Sequence, residues 1–262
     1  MLWWKFSNRP LPVFFQVALF PYRRIVNRAF FNRYKIKYFW GRDPYNVEHI
    51  FRRREIHRIG GKSFGISVGF LTTWANLWPQ FRYLSYDLFY IYQRPILEKY
   101  YGDTWQKDMK LVPIGSGKAT REFFSRRMTY RSNDIVIFCG VFVGEMEMVT
   151  FIRDLARRFV DRKIILQVKP PLMEKKIGQK FIKDCKKNNF NIVYRDVSPY
   201  ELIFQYQFII SDPSSLVAEG LQFGCYTFCF DIPAKQKSNV FRSYPGLTFS
   251  TAEDIKIRIK DI

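Results

Sequence analysis

The sequence predicts an α/β fold built on parallel sheets. Two observations support the prediction: the short apolar runs and their alternation with helical segments. Through the second half of the chain, short runs of continuous apolar residues alternate with segments of helical spacing. Runs of this length without polar alternation are typical of strands that are buried on both faces of a parallel sheet. Because such strands are joined by right-handed crossovers, the expected architecture is a doubly wound sheet with helices on both faces.

The elements of the second half follow in order. The expected strands are Asp134–Cys139, Lys163–Val168, Asn191–Tyr194, Phe208–Ser211 and Tyr226–Phe230. The expected helices are Glu145–Val160, Glu174–Asn188, a short one after Ser198, and Ser214–Phe223. Pro199 and Glu201 after Ser198 predict a capping box. In the tail, Thr251 and Asp254 suggest another capping box while the isoleucines alternate as in a strand; we favour a helix.

The first half has a weaker pattern of the same kind. A basic helix is expected at Val47–Ile59, and a second helix at Pro95–Tyr101. Strands are expected at Lys62–Val68, Leu84–Tyr92 and Lys110–Ile114. Residues 1–35 give no assignment. The sequence therefore predicts two parts, a basic, Trp-rich part over residues 1–120 and a doubly wound domain over residues 130–262, with the first α/β domain small or incomplete.

The charge is concentrated in the first half. The chain carries a net charge of +20, and residues 1–133 hold 24 Lys and Arg against 8 Asp and Glu, together with all six tryptophans. A basic surface of this kind favours anionic partners, namely nucleic acid, anionic lipid headgroups or phosphorylated substrates. It is typical of docking on an anionic membrane, although compositional bias with solvated lysines and an aromatic core gives the same counts. No RRM, KH or helix-turn-helix pattern accompanies it, so nucleic acid is an unlikely partner.

Cysteine, histidine and hydropathy patterns restrict the class further. The four cysteines form no CxxC pair, which indicates reduced thiols in a reducing compartment and no zinc site. Two histidines, His49 and His57, are too few for a His-rich metal site. No apolar run approaches the roughly 20 residues of a membrane span. We expect a cytoplasmic protein that can be peripheral on the inner membrane face.

The strongest local motif is the run Ser211-Asp212-Pro213-Ser214-Ser215, which leaves a strand and opens a helix. The amides of a helix start, together with two hydroxyls, form an anion site suited to a phosphate or diphosphate. Glu219 lies one turn into the helix on the face of Ser215, where a carboxylate can accept both hydroxyls of a ribose. The alternative is an ordinary N-cap followed by a solvated glutamate.

Further polar residues follow other strands of the same predicted sheet. Gly140, Lys169 and Asp196 each come after a strand, as Ser211 does, so their loops should share the carboxyl edge of the sheet. Lys169 is followed by two prolines and could neutralise a diphosphate; an ordinary surface lysine is the alternative.

The run from Ile135 to Pro233 resembles the C-terminal domain of GT-B glycosyltransferases that build bacterial surface polysaccharides. It is also similar to the teichoic-acid glycerophosphotransferase group, which shares that fold. The matching residues are Lys169, Pro170, Pro171, Asp212, Ser214, Ser215, Glu219 and Gly224. The resemblance implies that residues 130–262 form a Rossmann-like nucleotide-sugar-binding domain. It implies that Ser214 and Ser215 hold the diphosphate and Glu219 the ribose. Gly140, Lys169, Ser211 and Asp212 complete the predicted donor site through their position at the same edge of the sheet.

The first half resembles the end of the family's N-terminal domain through Gly60–Gly69, Leu84–Asp87 and Val112–Ser116. Two histidines of the family pattern are missing, because Val68 stands before Gly69 and Pro171 follows Pro170. Candidates for a general base are therefore Asp87, His49 and His57, of which Asp87 and His49 are our assignment. The structural alternatives are an exposed histidine on a basic helix and, for Asp87, a turn cap.

The resemblance implies a transferase that moves a sugar from a nucleotide-activated donor to a lipid-linked or cell-surface glycan. The donor is then a substrate, and neither a separate cofactor nor a metal is expected, because no acidic DxD-type cluster occurs. Transfer of a polyol phosphate is the alternative within the fold. A degenerate, non-catalytic nucleotide-binding or scaffold protein and a basic nucleic-acid binder are the alternatives outside it.

Overall fold

A computed structural model describes residues 17–41, 48–67, 84–94, 98, 105–116, 131–187, 192–235 and 239–262. The chain forms two compact units, an N-terminal one that ends at Ile114 and a C-terminal one whose main part begins at Gly115. The predicted domain limits at residues 120 and 130 lie outside the described residues.

The N-terminal unit contains a four-stranded parallel sheet in the order β1-β2-β3-β4. Its described helices are α1 (Phe20–Tyr34) and α2 (Glu48–Arg58). Its strands are β1 (Tyr38–Gly41), β2 (Lys62–Ile66), β3 (Leu88–Ile91) and β4 (Lys110–Pro113). Gly60 ends α2 with a φ of 74°, a left-handed conformation that glycine adopts without strain.

The structure confirms α2, β2 and β4 close to their predicted bounds, whereas the predicted strand Leu84–Tyr92 was too long. Leu84, Ser85 and Tyr86 are buried but lie outside the sheet. The apolar character of Leu84 and Tyr86 therefore reflects burial and not strand pairing. Helix α1 and strand β1 were not predicted. Val68 lies outside the described residues, as does the predicted helix Pro95–Tyr101 apart from Glu98, which is helical.

Helices α1 and α2 are joined by a buried carboxylate. The side chain of Glu55, on α2, is 1% exposed, and its oxygens accept hydrogen bonds from Arg24 (2.8 Å) and Arg28 (2.9 Å) of α1 and from Arg58 (3.1 Å). The hydrogen bond from Arg28 is the largest influence on this carboxyl group, and the three arginines together lower its pKa to about 2 despite its burial. Glu55 therefore holds the two helices together through charge-assisted hydrogen bonds.

The C-terminal unit contains a six-stranded parallel sheet in the order β10-β9-β8-β5-β6-β7. Its strands are β5 (Ser132–Cys139), β6 (Ile164–Val168), β7 (Ile192–Tyr194), β8 (Tyr206–Ser211), β9 (Tyr226–Phe230) and β10 (Thr248–Phe249). Its helices are α3 (Met146–Arg158), α4 (Pro170–Met173), α5 (Lys176–Lys186), α6 (Pro199–Gln205), α7 (Ser215–Gln222) and α8 (Ala252–Lys260).

Both faces of this sheet are covered, as the predicted doubly wound architecture requires. Ile135, Ile137 and Leu166 face a cluster that includes residues of α3, α5 and α8. Val136 and Ile209 face a second cluster on the opposite side, which includes residues of α6. The successive residues of β5 thus enter different cores, which explains why the strand has no polar alternation.

All five predicted strands of this unit are confirmed, with small shifts at their ends. The expected helix at Glu174–Asn188 is α5, which begins two residues later, and the short helix α4 before it was not predicted. The helix after Ser198 is present, but the Ser198 side chain makes no capping hydrogen bond, so the capping box was wrong. The tail is a helix, and Thr251 Oγ1 accepts from the amide of Asp254 as expected.

Substitution Glu55→Gln should weaken the α1–α2 pair. The substitution leaves the arginines without their negatively charged partner. The free energy of unfolding should therefore fall by about 1–3 kcal/mol at neutral pH. Because the pKa is lowered in the folded state, the stabilisation exists above the ordinary carboxyl pKa and is lost as the pH falls from about 4.5 towards about 2. Urea unfolding at several pH values measures both effects.

The matched control is Glu253→Gln, since Glu253 is 49% exposed and its one ion pair within the described ranges is with Arg158. An exposed pair contributes about 0–1 kcal/mol, so this variant should unfold nearly as the wild type does. Equal losses in the two variants would contradict the role given to Glu55.

Candidate functional site

The C-terminal sheet has a topological switch point between β5 and β8. From β5 the chain proceeds to β6 and β7 on one side, then returns to β8 on the other side and continues to β9 and β10. Both β6 and β8 run parallel to β5. In open α/β sheets, ligands bind in the crevice at the carboxyl ends of the strands at this point. The loops that follow β5 at Gly140 and β8 at Asp212 lie there.

The Asp212 carboxylate connects these two loops. Its Oδ2 accepts hydrogen bonds from three successive amides, those of Gly140 (2.6 Å), Val141 (2.5 Å) and Phe142 (3.1 Å). Successive amides of this kind form an anion-binding nest, and in this protein the anion is a side chain of the chain itself. Burial raises the pKa of Asp212 to about 6, although the three amides and the charge of Lys169 act to lower it.

Three strand ends meet around Gly140. A Cβ atom at this glycine would lie 3.9 Å from the Asp212 oxygens and 3.9 Å from Cβ of Lys169. Lys169 follows β6 directly, its amide donates to the Cys139 carbonyl at 2.9 Å, and its side chain is exposed. Gly140, Lys169 and Asp212 therefore occupy one rim, as their positions after strands predicted, and Asp196 follows β7 at the same edge on an exposed loop.

Ser211 ends β8, and Ser214 and Ser215 form the start of α7. The Ser211 hydroxyl lies 2.9 Å from that of Ser214, and Ser214 Oγ accepts from the Leu216 amide at 3.3 Å. Ser214 is the N-cap and Ser215 the first residue of the eight-residue helix, whose first turn has no acidic side chain. The arrangement presents hydroxyls and the positive end of a helix at the switch point, a combination suited to an anion.

Glu219 is buried one turn into α7, which excludes the alternative of a solvated glutamate. Its side chain accepts a hydrogen bond from Tyr200 Oη at 2.9 Å and another from Ser116 Oγ at 3.3 Å. Buried carboxylates are costly unless they are hydrogen-bonded. Glu219 is thus a fixed acceptor of hydroxyl hydrogen bonds behind the start of α7.

The two residues predicted as catalytic lie in the N-terminal unit. His49, near the start of α2, is buried and stacks on Tyr86 with ring centroids 5.4 Å apart. Asp87 immediately precedes β3 and accepts from His57 Nε2 at 2.7 Å and from the Ser63 amide at 2.7 Å. Its burial raises the pKa, but the Ser63 amide and His57 outweigh this effect and lower it overall.

This geometry gives little support to a catalytic role for either residue. Asp87 lies at the amino edge of its sheet, opposite to the edge where open α/β sheets bind ligands. The His49 side chain is not accessible to a substrate. The structure does join His57 to Asp87, a contact that the sequence did not predict because the residues are 30 positions apart.

Three polar residues of the C-terminal unit were not predicted from the sequence. Tyr200 and Ser116 contact Glu219 from sequence positions 19 and 103 residues away, and no local signal marks them. Asp231 directly follows β9, is buried, and forms an ion pair with Arg242. Asp231 is a polar residue directly after a strand, as Lys169 is, so the same pattern in the sequence could have identified it.

The described residues also bear on metal binding, membrane spanning and thiol chemistry. Within the described residues, no cluster of three or more His, Cys, Asp or Glu side chains is arranged to hold a metal ion, and no helix is both long and apolar enough to cross a membrane. The four cysteines are buried free thiols, and burial raises the pKa of Cys185 and Cys229 to about 12.

The two parallel α/β units, with a switch point in the C-terminal one, are those of the GT-B fold. Solved structures share it at low sequence identity. MurG of Acinetobacter baumannii superposes with a TM-score of 0.52 at 11% identity, over 91% of this chain and 68% of its own. A putative UDP-N-acetylglucosamine 2-epimerase of Listeria monocytogenes gives 0.61 at 7% identity, over 92% and 69%.

A third similar structure is the UDP-GlcNAc 2-epimerase of Neisseria meningitidis bound to UDP-GlcNAc. It gives a TM-score of 0.57 at 10% identity, over 91% of this chain and 71% of its own. Neither a protein-family model nor a curated protein matches the sequence. The fold is therefore established by structure, at identities that carry no further conclusion about activity.

The raised pKa of Asp212 predicts a specific pH dependence. A carboxyl group that holds its proton more tightly when folded stabilises the protein at low pH, and this contribution is lost as the pH rises from about 4 to about 6. Relative to Asp212→Asn, which does not titrate, the wild type should lose roughly 1–3 kcal/mol of unfolding free energy over this interval. Urea unfolding of both proteins from pH 4 to pH 7 measures the difference.

Asp154→Asn is the control, since Asp154 is an exposed carboxylate on α3 that pairs only with Arg157 among the described residues. Its stability relative to the wild type should be nearly constant with pH. A constant difference between the wild type and Asp212→Asn as well would show that Asp212 is ionised throughout, with its charge fully compensated by the three amides.

Proposed function

We propose that this chain is a GT-B-type transferase that binds a nucleotide-activated sugar at the switch point of its C-terminal unit. The observation that carries the proposal is the buried carboxylate of Glu219, held by Tyr200 and Ser116 one turn behind the serine-rich start of α7. An anion site and a fixed acceptor for hydroxyl groups, about one helical turn apart, match the diphosphate and the ribose of such a donor.

Each residue has a distinct role in the proposal. Ser214, Ser215 and the first amides of α7 bind the diphosphate, and the exposed ammonium of Lys169 neutralises its charge. Glu219, which is 2% exposed, accepts the ribose hydroxyls when they displace the hydroxyl of Tyr200 or Ser116. Ser211 orients Ser214 through the 2.9 Å contact between their hydroxyls. The Asp212 carboxylate accepts a hydrogen bond from the Gly140 amide and fixes the loop after β5. Neither residue therefore needs to touch the donor.

The proposed chemistry is displacement at the anomeric carbon of the donor. The acceptor hydroxyl forms the new bond to this carbon while the bond to the diphosphate oxygen breaks. Charge develops on the leaving diphosphate, and amides and hydroxyls that are already oriented stabilise it without reorganisation. The loss of the acceptor proton requires a base, for which His49 and Asp87 remain predictions.

The donor and the acceptor are proposed only as chemical classes. The similar structure from Neisseria meningitidis contains UDP-GlcNAc, which makes UDP-linked sugars the first donors to test. The acceptor is proposed to be a lipid-linked or cell-surface glycan, in line with the basic character of the first half of the chain. A polyol phosphate carried by CDP is the alternative donor within the same fold.

A second candidate function is nucleotide-sugar binding without turnover. The burial of His49 and the position of Asp87 at the amino edge favour it, because neither proposed base is available where donors bind in this fold. The donor site in the C-terminal unit is common to both candidates. Release of the free nucleotide from a donor distinguishes them, since only an enzyme produces it.

Thermal melting against UDP-GlcNAc, UDP, CMP and CDP-glycerol tests the donor site. A ligand at 100 times its dissociation constant stabilises the folded state by about 2.7 kcal/mol, which raises the melting temperature by several degrees. Ser215→Ala and Lys169→Ala should weaken binding by about tenfold each through the loss of a phosphate contact. Lys169 is exposed, so its substitution should lower the ligand-free melting temperature only slightly, through the loss of its attraction to Asp212.

Thr251→Ala is the matched control for Ser214→Ala. Both residues are N-caps whose hydroxyls accept a backbone amide, so both variants should lose about 1 kcal/mol of stability. Only Ser214→Ala should also lose the shift caused by the nucleotide. If no nucleotide stabilises the wild type, or if both cap variants respond equally to it, the proposed donor site is wrong.

A further inference from the structure

Helix α1 carries large apolar side chains on two sides, and only one of them is covered. The covered side contains the fully buried Phe31, together with Arg24 and Arg28, which bind the buried Glu55. The other side exposes five large apolar residues: Leu19 just before the helix, then Tyr22, Ile25, Val26 and Phe30. We call these five residues the α1 strip. A surface helix of a globular protein normally buries its apolar side.

The exposure within the α1 strip is substantial. Tyr22 and Ile25 are each 65% exposed, and the five residues recur at spacings of three, four and one, as one face of a helix requires. Single exposed apolar residues need no explanation, but a contiguous row of them marks an interaction surface. The inward arginines are held by Glu55, so rotation of the helix to bury the strip would cost these ion pairs.

The charge around the α1 strip identifies the kind of surface that fits it. Helix α1 contains no acidic residue, and Arg33 and Lys35 at its end are exposed. The first acidic residue of the chain is Asp43. A second copy of the same helix would bring basic groups against basic groups, whereas anionic lipid headgroups complement them.

We propose that the α1 strip binds the surface of an anionic phospholipid bilayer. The apolar side chains enter the boundary between headgroups and acyl chains, Tyr22 and Tyr34 lie at the level of the headgroups, and Arg33 and Lys35 contact the phosphates. The helix lies in the plane of the membrane and does not cross it. The proposal does not depend on the donor site, because α1 belongs to the N-terminal unit and the proposed donor residues to the C-terminal one.

Flotation of the full chain with vesicles tests the proposal. Vesicles of phosphatidylcholine mixed with phosphatidylglycerol should bind the wild type at least about tenfold better than vesicles of phosphatidylcholine alone. Tyr22→Gln combined with Ile25→Gln should weaken binding by at least about tenfold, because less apolar area is buried in the bilayer. Arg33→Gln combined with Lys35→Gln should weaken binding to the anionic vesicles by about tenfold and leave the weak binding to the neutral ones unchanged.

Ile257→Gln is the matched control, since Ile257 is 52% exposed on helix α8 of the C-terminal unit. It should bind vesicles as the wild type does, to within about twofold. The melting temperature and any shift caused by UDP-GlcNAc should persist in the Tyr22→Gln/Ile25→Gln variant, which separates this surface from the donor site. Both substituted residues are exposed, so the variant should fold.

Two results would overturn the proposal. One is equal binding of the wild type and of the Tyr22→Gln/Ile25→Gln variant to anionic vesicles, which would place the contact elsewhere. The other is a wild type that does not bind vesicles but forms a dimer, seen by light scattering, that the same variant dissociates. The α1 strip would then be an interface between two copies of the chain.

Discussion

The contact of the Asp212 carboxylate with the amides of Gly140, Val141 and Phe142 is the interaction on which the C-terminal unit depends. It joins the ends of β5 and β8, the two strands between which the chain reverses its direction of winding. A buried carboxylate without these partners would be costly. The same contact therefore fixes the loop after β5 and positions the start of α7, two residues beyond Asp212.

The other polar groups at this edge of the sheet form a separate cluster. Ser211 and Ser214 contact each other at the start of α7, and the Glu219 carboxylate accepts from Tyr200 and Ser116 behind it. Asp212 is satisfied by amides of its own chain, whereas Lys169 and the start of α7 present positive potential at the same edge. This separation assigns Asp212 to structure and leaves the serines, Lys169 and Glu219 for the proposed nucleotide donor.

The N-terminal unit combines ionic and apolar contacts between its helices. Glu55 binds Arg24 and Arg28 beside the buried Phe31, and these contacts fix α1 with a second apolar side exposed. A surface helix with a single apolar side would bury it. The exposed side is the proposed lipid-binding surface, whereas the C-terminal unit, with a core on both faces of its sheet, carries the proposed donor site.

Local patterns were enough to predict the parallel α/β class, the five strands of the C-terminal unit and the common edge of Gly140, Lys169 and Ser211–Ser215. Each of these follows from apolar runs and from the short-range rule that polar residues after parallel strands share an edge. Long-range contacts fixed the rest: Asp212 fills an amide nest, Tyr200 and Ser116 hold Glu219, Asp87 contacts His57, and one apolar side of α1 stays exposed. The partners in these polar contacts lie 19 to 103 residues apart, and the exposure of α1 depends on which of its sides α2 covers, so no local period in the sequence encodes these outcomes.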